Sequence, residues 1–205
     1  MFKLPKILLL LVLMGTIATS QVQRPGEVRS APILGNPGPA IGSQDELQQY
    51  TAGGHVLGFR KGEMFVASGD HALRVEFVNA NLAGPIGEGG SANPKKGHDI
   101  APPLGRVMYR DLWDGVTLVY ENHGSGVVKS TYHIEAEETG TIDPVGQIRL
   151  RYNVPVKVDE SGDLLLSFPT GEMRESRPVA WQEIEGKRVP VEATYRLISE
   201  QEVGL

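Results

Sequence analysis

A side-chain period of two recurs along this chain, and that feature most restricts the fold. In VVKSTYHIE, Val128, Tyr132 and Ile134 share one face, and Lys129, Thr131, His133 and Glu135 take the other. In QIRLRYN, Ile148, Leu150 and Tyr152 point one way, with Arg149 and Arg151 opposed. Leu164, Leu166 and Phe168 repeat the pattern in GDLLLSF, and Leu73, Val75 and Phe77 do so against Arg74 and Glu76. RVPVEATYRLI reads as one more strand, with Val189, Val191, Ala193, Tyr195 and Leu197 inward. One half-buried sheet face requires this alternation, whereas a helix repeats every 3.6 residues.

The connections agree. Asp159-Glu160-Ser161-Gly162, Pro169-Thr170-Gly171 and Glu185-Gly186-Lys187 are hairpin-sized, each with a glycine where a positive φ is needed. With 25 glycines, 14 prolines and only 6% aromatic residues, the composition also suits short strands and many turns. The expectation is an all-β fold of antiparallel, sandwich-like sheets with short hairpins and little helix.

The run YRDLWDGVTLVY, Tyr109 to Tyr120, poses a choice. Asp111 and Asp114 form either a reactive carboxylate pair or part of a hairpin. Val116, Leu118 and Tyr120 alternate inward after Asp114-Gly115, a turn dipeptide, so the hairpin is the reading. Asp114 is then expected to bond its own backbone, with Asp111 exposed or capping. Residues 79–105, NANLAGPIGEGGSANPKKGHDIAPPLG, fit no strand and read as a long surface loop.

The chain begins MFKLPKILLLLVLMGTIATSQ. Lys3 and Lys6 precede an apolar run, Ile7 to Met14, and Ala18 and Ser20 occupy the small-residue positions of a cleavage site. This is the layout of a secretory signal peptide over residues 1–20, cut between Ser20 and Gln21. The apolar run is shorter than the roughly 20 residues of a membrane span. Residues 21–49 then form a Pro/Gly-rich flexible linker, and 50–205 a single β-rich domain. Loss of Lys3 and Lys6 leaves 18 of the 20 basic residues against 25 acidic ones, a net of −7. So acidic a chain has no phosphate-binding stripe, and nucleic acid is not an expected partner; no membrane span is expected after cleavage. With no cysteine there is neither a disulfide nor a lipoprotein anchor, and a Cys-free exported chain points to a bacterium.

The candidate chemistries are weak. None of His55, His71, His98, His123 and His133 lies in an H-E-x-x-H pattern. His98 and Asp99, following Lys95 and Lys96, make the most site-like cluster and read as a charged loop tip. Ser125 stands two residues from His123, where base and nucleophile do not easily meet. Ser68-Gly69-Asp70-His71 sits at a turn. DESGD, Asp159 to Asp163, groups three carboxylates without the spacing of a calcium loop. Trp113 and Trp181 are the candidate sugar-stacking platforms, and Trp181, alternating with Val179, reads as core. No catalytic, cofactor-binding or metal-ligating residue is assigned, and no cofactor is expected.

GRVMYRDLWDGVTLVYE, then DPVGQIRLRYN, then DESGDLLLSFPTGEMRESRPVAWQEIEGKRVPVEATYRL, resembles the N-terminal domain of bacterial exported proteins that carry SBBP (β-propeller-type) repeats. The likeness covers about residues 105–204. It implies a β-rich accessory module of a surface or secreted protein, without established catalytic residues. GGSANPKKGHD stands where the family usually has an aromatic N-Y-F-x-G segment. The family pattern also continues past E-V-G-F, where this sequence has Glu202-Val203-Gly204-Leu205, so a stand-alone derivative or a truncated reading frame is expected. The expected partner is a surface protein or a glycan, with a C-terminal propeller region as neighbour. The alternatives are a glycan- or calcium-dependent binding module and an exported hydrolase using His98 and Asp99 or Asp111 and Asp114. The edge at RVPVEATYRLI is a candidate self-association surface.

Overall fold

The computed structural model describes residues 6–14 as a backbone strand, and residues 47–88, 101–124, 126–135 and 143–205 in full. These residues form two antiparallel sheets and, among themselves, no helix. The strands are β1 (Lys6–Met14), β2 (Gln48–Ala52), β3 (His55–Arg60), β4 (Glu63–Ala67), β5 (Ala72–Phe77), β6 (Ile86–Glu88), β7 (Arg106–Trp113), β8 (Val116–Glu121) and β9 (Val128–Glu135). They continue with β10 (Arg149–Tyr152), β11 (Val156–Val158), β12 (Leu164–Phe168), β13 (Gly171–Glu175), β14 (Val179–Ile184), β15 (Lys187–Val191), β16 (Arg196–Ser199) and β17 (Glu202–Gly204).

One sheet runs β11-β12-β13-β1-β9-β8-β7-β6, with β14 pairing β1 and β15; the other runs β16-β17-β10-β5-β4-β3-β2. Their inner faces meet in one apolar core. Phe59 of β3 approaches Tyr120 of β8 at 5.3 Å between ring centroids, and Phe77 of β5 lies edge-on to Tyr109 of β7 at 5.1 Å. Full burial of each such ring contributes about 2–3 kcal/mol.

Most of the expected strands are present. Leu73, Val75 and Phe77 face the core, as do Val116, Leu118, Tyr120, Val128, Tyr132, Ile134, Ile148, Leu150, Tyr152, Leu164 and Leu166. Asp114-Gly115 forms the turn between β7 and β8, with Gly115 at φ 72°. Between the pairs Tyr109–Leu118 and Trp113–Val116 the ladder is irregular, and Asp111 there has φ 47°. The extra length on β7 lets the adjacent Leu112 and Trp113 both be buried, which regular alternation forbids.

The structure differs from expectation at four places. Residues 79–105 contain a strand after all, since β6 pairs with β7 through Ile86–Met108 and Glu88–Arg106. β2 begins at Gln48, two residues before the expected domain start. RVPVEATYRLI is two strands in different sheets: β15 pairs β14, β16 pairs β17, and Val189 and Leu197 are exposed at 42% and 45%. Only Tyr195 of its five expected inward residues is buried. On β14 the phase is reversed: Ala180 is buried, Val179 is 51% exposed, and Trp181 lies half-buried with the Arg188 guanidinium 5.0 Å from its ring.

Lys6–Met14 is extended and central, paired with β9 on one side and with β14 and β13 on the other.

Candidate functional site

The two aspartates of the hairpin do not form a pair. Asn81 clasps the turn: its Nδ2 donates to the Asp111 carbonyl and to Asp114 Oδ1, each at 3.0 Å. Its backbone N–H donates to the Leu112 carbonyl at 2.7 Å. Asp114 therefore bonds a side chain 33 positions away rather than its own backbone, and Asp111 is exposed. Local turn chemistry placed the turn correctly, but the donor came from the loop that precedes β6.

His98, Asp99, Lys95, Lys96 and Ser125 lie outside the described residues. His123 caps a tight turn, its carbonyl accepting from the Gly126 N–H at 2.9 Å. His133 is exposed on β9. His55 and His71 are brought together at the end of the second sheet, with ring centroids 5.4 Å apart.

The turn Ser68-Gly69-Asp70-His71 is closed by the Ser68 N–H on the His71 carbonyl at 2.9 Å. That closure sets Ser68 Oγ 3.0 Å from His71 Nδ1, within reach for a nucleophile and its base. The Phe168 ring lies tilted against that of His71, with centroids 4.9 Å apart. Burial lowers the His71 pKa, His55 lowers it further, and Asp70 opposes both. His55 Nδ1 meets the Gly53 carbonyl at 2.9 Å, so this nitrogen carries the proton. Nε2 of each ring is buried without a hydrogen-bond partner among the described residues. The adjoining recess, lined by Asp70, His71, Phe168, Thr170 and Met173, encloses about 10 Å³. That is room for one water at most, far below the hundreds of Å³ of an ordinary ligand pocket.

The acidic turn of DESGD is filled by the protein itself. Arg174 Nη1 donates to Asp159 Oδ2 at 2.9 Å and to Asp163 Oδ2 at 3.0 Å. Asp159 Oδ1 accepts from the backbone N–H of Ser161 at 2.8 Å and of Asp163 at 3.0 Å. Asp163 Oδ1 accepts from the Arg177 N–H at 2.8 Å. Desolvation works against the charged Asp159, but these amides and Arg174 outweigh it and hold the carboxyl below its usual range. A guanidinium thus stands where a cation would bind. Among the described residues, no three His, Asp or Glu side chains come together as metal ligands. Neither tryptophan offers an open platform: Trp113 is buried, its Nε1 donating to the Val78 carbonyl at 3.0 Å, and Trp181 is covered by Arg188.

One polar group was not singled out from sequence. Glu175 of β13 is buried between the sheets, beside a cavity of about 20 Å³ lined in part by Met64, Leu73, Tyr120, Ser130 and Tyr152. Burial pushes its carboxyl up to about 7, against the lowering effect of Tyr152 and Tyr195. Tyr152 donates to Glu175 Oε2 at 3.1 Å, whereas the single Tyr195 proton goes to the Ser176 carbonyl at 3.0 Å. Tyr152 is therefore the donor the geometry supports. The signal was available in GEMRE, where period two puts Glu175 on the face of the buried Met173. The cavity holds one water-sized body, which makes Glu175 a buried titrating group rather than one that meets a substrate.

No curated protein and no solved structure matches the chain. Residues 42–205 match a family described as a domain of unknown function, and it is to this family, DUF7948, that the chain belongs.

Proposed function

We propose that this chain is a non-catalytic, exported β-domain: a structural or interaction module of a bacterial cell-surface or secreted protein, similar to the N-terminal region of SBBP-repeat proteins. The observation that carries this reading is that the described reactive-looking groups are spent within the fold. Arg174 closes the Asp159–Asp163 pair, Asn81 holds Asp114, and the Ser68–His71 contact borders a recess too small for a substrate. Export rests on the layout of residues 1–20, a basic start, an apolar run and a small-residue cleavage site.

The test is a blot of fractionated source cells with an antibody against residues 155–205, followed by N-terminal sequencing of the band. An extracytoplasmic product beginning at Gln21 supports export, and a cytoplasmic product beginning at Met1 rejects it. A band much larger than the 22.2 kDa chain supports the repeat-protein context, and a lone band at or below that mass rejects it. Hydrolase activity that is lost in Ser68→Ala or Asp114→Ala would reject the non-catalytic part.

A further inference from the structure

The position of β1 raises a physical problem for an exported protein. The strand pairs with β9 along Lys6–Glu135 to Leu13–Val128. On its other edge it pairs with β14 from Lys6–Glu183 to Leu10–Val179, then with β13 at Leu13–Glu175 and Met14–Arg174. Both walls are antiparallel to β1 and hence parallel to each other. Removing β1 with the leader leaves two strand edges facing each other about 9.6 Å apart, two interstrand spacings.

Both walls lie over the core. β9 carries buried Ser130, Thr131, Tyr132 and Ile134, and the opposite wall carries buried Glu175 and Ala180. Natural edges are blunted by charge, proline or bulges, because unpaired N–H and C=O groups over a core are costly. Direct closure is obstructed as well. β9 is held by β8 from Val116–Ile134 to Glu121–Lys129, β13 by β12, and β14 by β15. Shifting either wall by one strand interval would strain those ladders or drag them along.

We propose that this slot is a strand-acceptor site, filled in the mature protein by an extended apolar strand from a partner polypeptide. The proposal rests on the exported, processed reading given above. The occupant's chemistry follows from the walls: about nine residues without proline, antiparallel to β9, with apolar side chains at the alternate positions that face the core. Residues 21–205 offer no substitute for the leader, so the strand is supplied from outside them. Ile7–Met14 is the longest uninterrupted apolar run of the whole sequence, and residues 21–46 are broken by Pro25, Pro32, Pro37 and Pro39. A second copy offers β15 as a free edge, but Lys187, Arg188 and Pro190 make that strand a poor match for an apolar slot.

The test uses the full chain with a protease site inserted between Ser20 and Gln21, folded and then cut. The probe is a dye-labelled peptide of residues 5–15 with lysines added at both ends for solubility, and amide exchange is followed over residues 128–135 and 174–183. The expected result is one peptide bound per chain, the leader released, and protection in both segments retained. With the leader removed and no peptide added, protection there should fall roughly 100-fold while β3–β5 stay protected. Continued protection in the emptied monomer would mean that the sheet closes on itself, and the proposal fails. It fails equally if protection returns through dimerisation, or if the cut leader never exchanges, so that β1 is a permanent strand. N-terminal sequencing of the native product decides the processing separately: a product beginning at Met1 rejects export without altering the exchange result.

Discussion

The Tyr152 hydroxyl donates to Glu175 Oε2 across 3.1 Å, joining β10 of one sheet to β13 of the other inside the core. A carboxyl so placed gives stability a pH dependence opposite to that of a salt-bridged one. Unfolded, Glu175 ionises near 4.5; folded, burial moves it to about 7. Between those values the folded state holds the extra proton, so stability is highest below about 4.5, falls as pH rises, and levels off above about 7. The shift corresponds to about 3 kcal/mol. Glu175→Gln should remove this decline and raise stability at pH 8 by up to about that amount. Tyr152→Phe should extend the decline to higher pH. Urea unfolding at several pH values reads both, and parallel profiles for wild type and Glu175→Gln would reject the assignment.

Tyr109 anchors the β3–β4 hairpin to the opposite sheet. Its ring is fully buried, and its hydroxyl is shared between the carbonyls of Arg60 at 3.0 Å and Glu63 at 3.3 Å. Tyr109→Phe keeps the ring and removes the donor, and it should cost about 1–1.5 kcal/mol. A urea midpoint equal to that of the wild type would show that the hydroxyl adds nothing.

Strands lying over the common core were legible, because β5, β10 and β12 bury alternate residues, and on β8 and β9 the apolar residues expected inward are buried, although Val119 and Thr131 are buried beside them. β15 was misread because it pairs only with β14, so the alternation of Val189 and Val191 has little core beneath it. Trp181 was misplaced because β14 buries Ala180, which turns Val179 and Trp181 to the opposite face. The place of β1 was illegible: an unbroken apolar run has no period, and a leader and a central strand look alike. The Ser68–His71 contact is local and was within reach of turn reasoning. The bonds of Asn81 to Asp114 and of Arg174 to Asp159 and Asp163 depend on how separate strands and loops are brought together, which a single sequence does not state.

Arg174 occupies the acidic turn between Asp159 and Asp163. Since its guanidinium bridges Asp159 and Asp163, millimolar calcium should leave the Tm of the wild type unchanged. Asp159 is held below its ordinary pKa, so its contribution is present at neutral pH and is lost as pH falls below the ordinary carboxylate value. Arg174→Met should therefore lower Tm at pH 7 more than at pH 3. A calcium-dependent rise in the wild-type Tm would instead revive the acidic turn as a cation site.

Gly115 closes the hairpin on which the carboxylate question turned. Two separate penalties act there: φ is 72°, and an added Cβ would lie 2.9 Å from the Glu135 carbonyl oxygen. Gly54 has a similar φ of 77° with nothing within 4 Å of an added Cβ, so it isolates the conformational cost. Gly54→Ala should cost about 1 kcal/mol through the left-handed backbone alone. Gly115→Ala should cost more, about 2–3 kcal/mol, because β9 must also give way around Glu135. Equal losses in urea unfolding would mean that the close approach is relieved without cost. A larger loss at Gly115 would establish that the Asp114-Gly115 turn is packed against β9, and that glycine is required there for space as well as for φ.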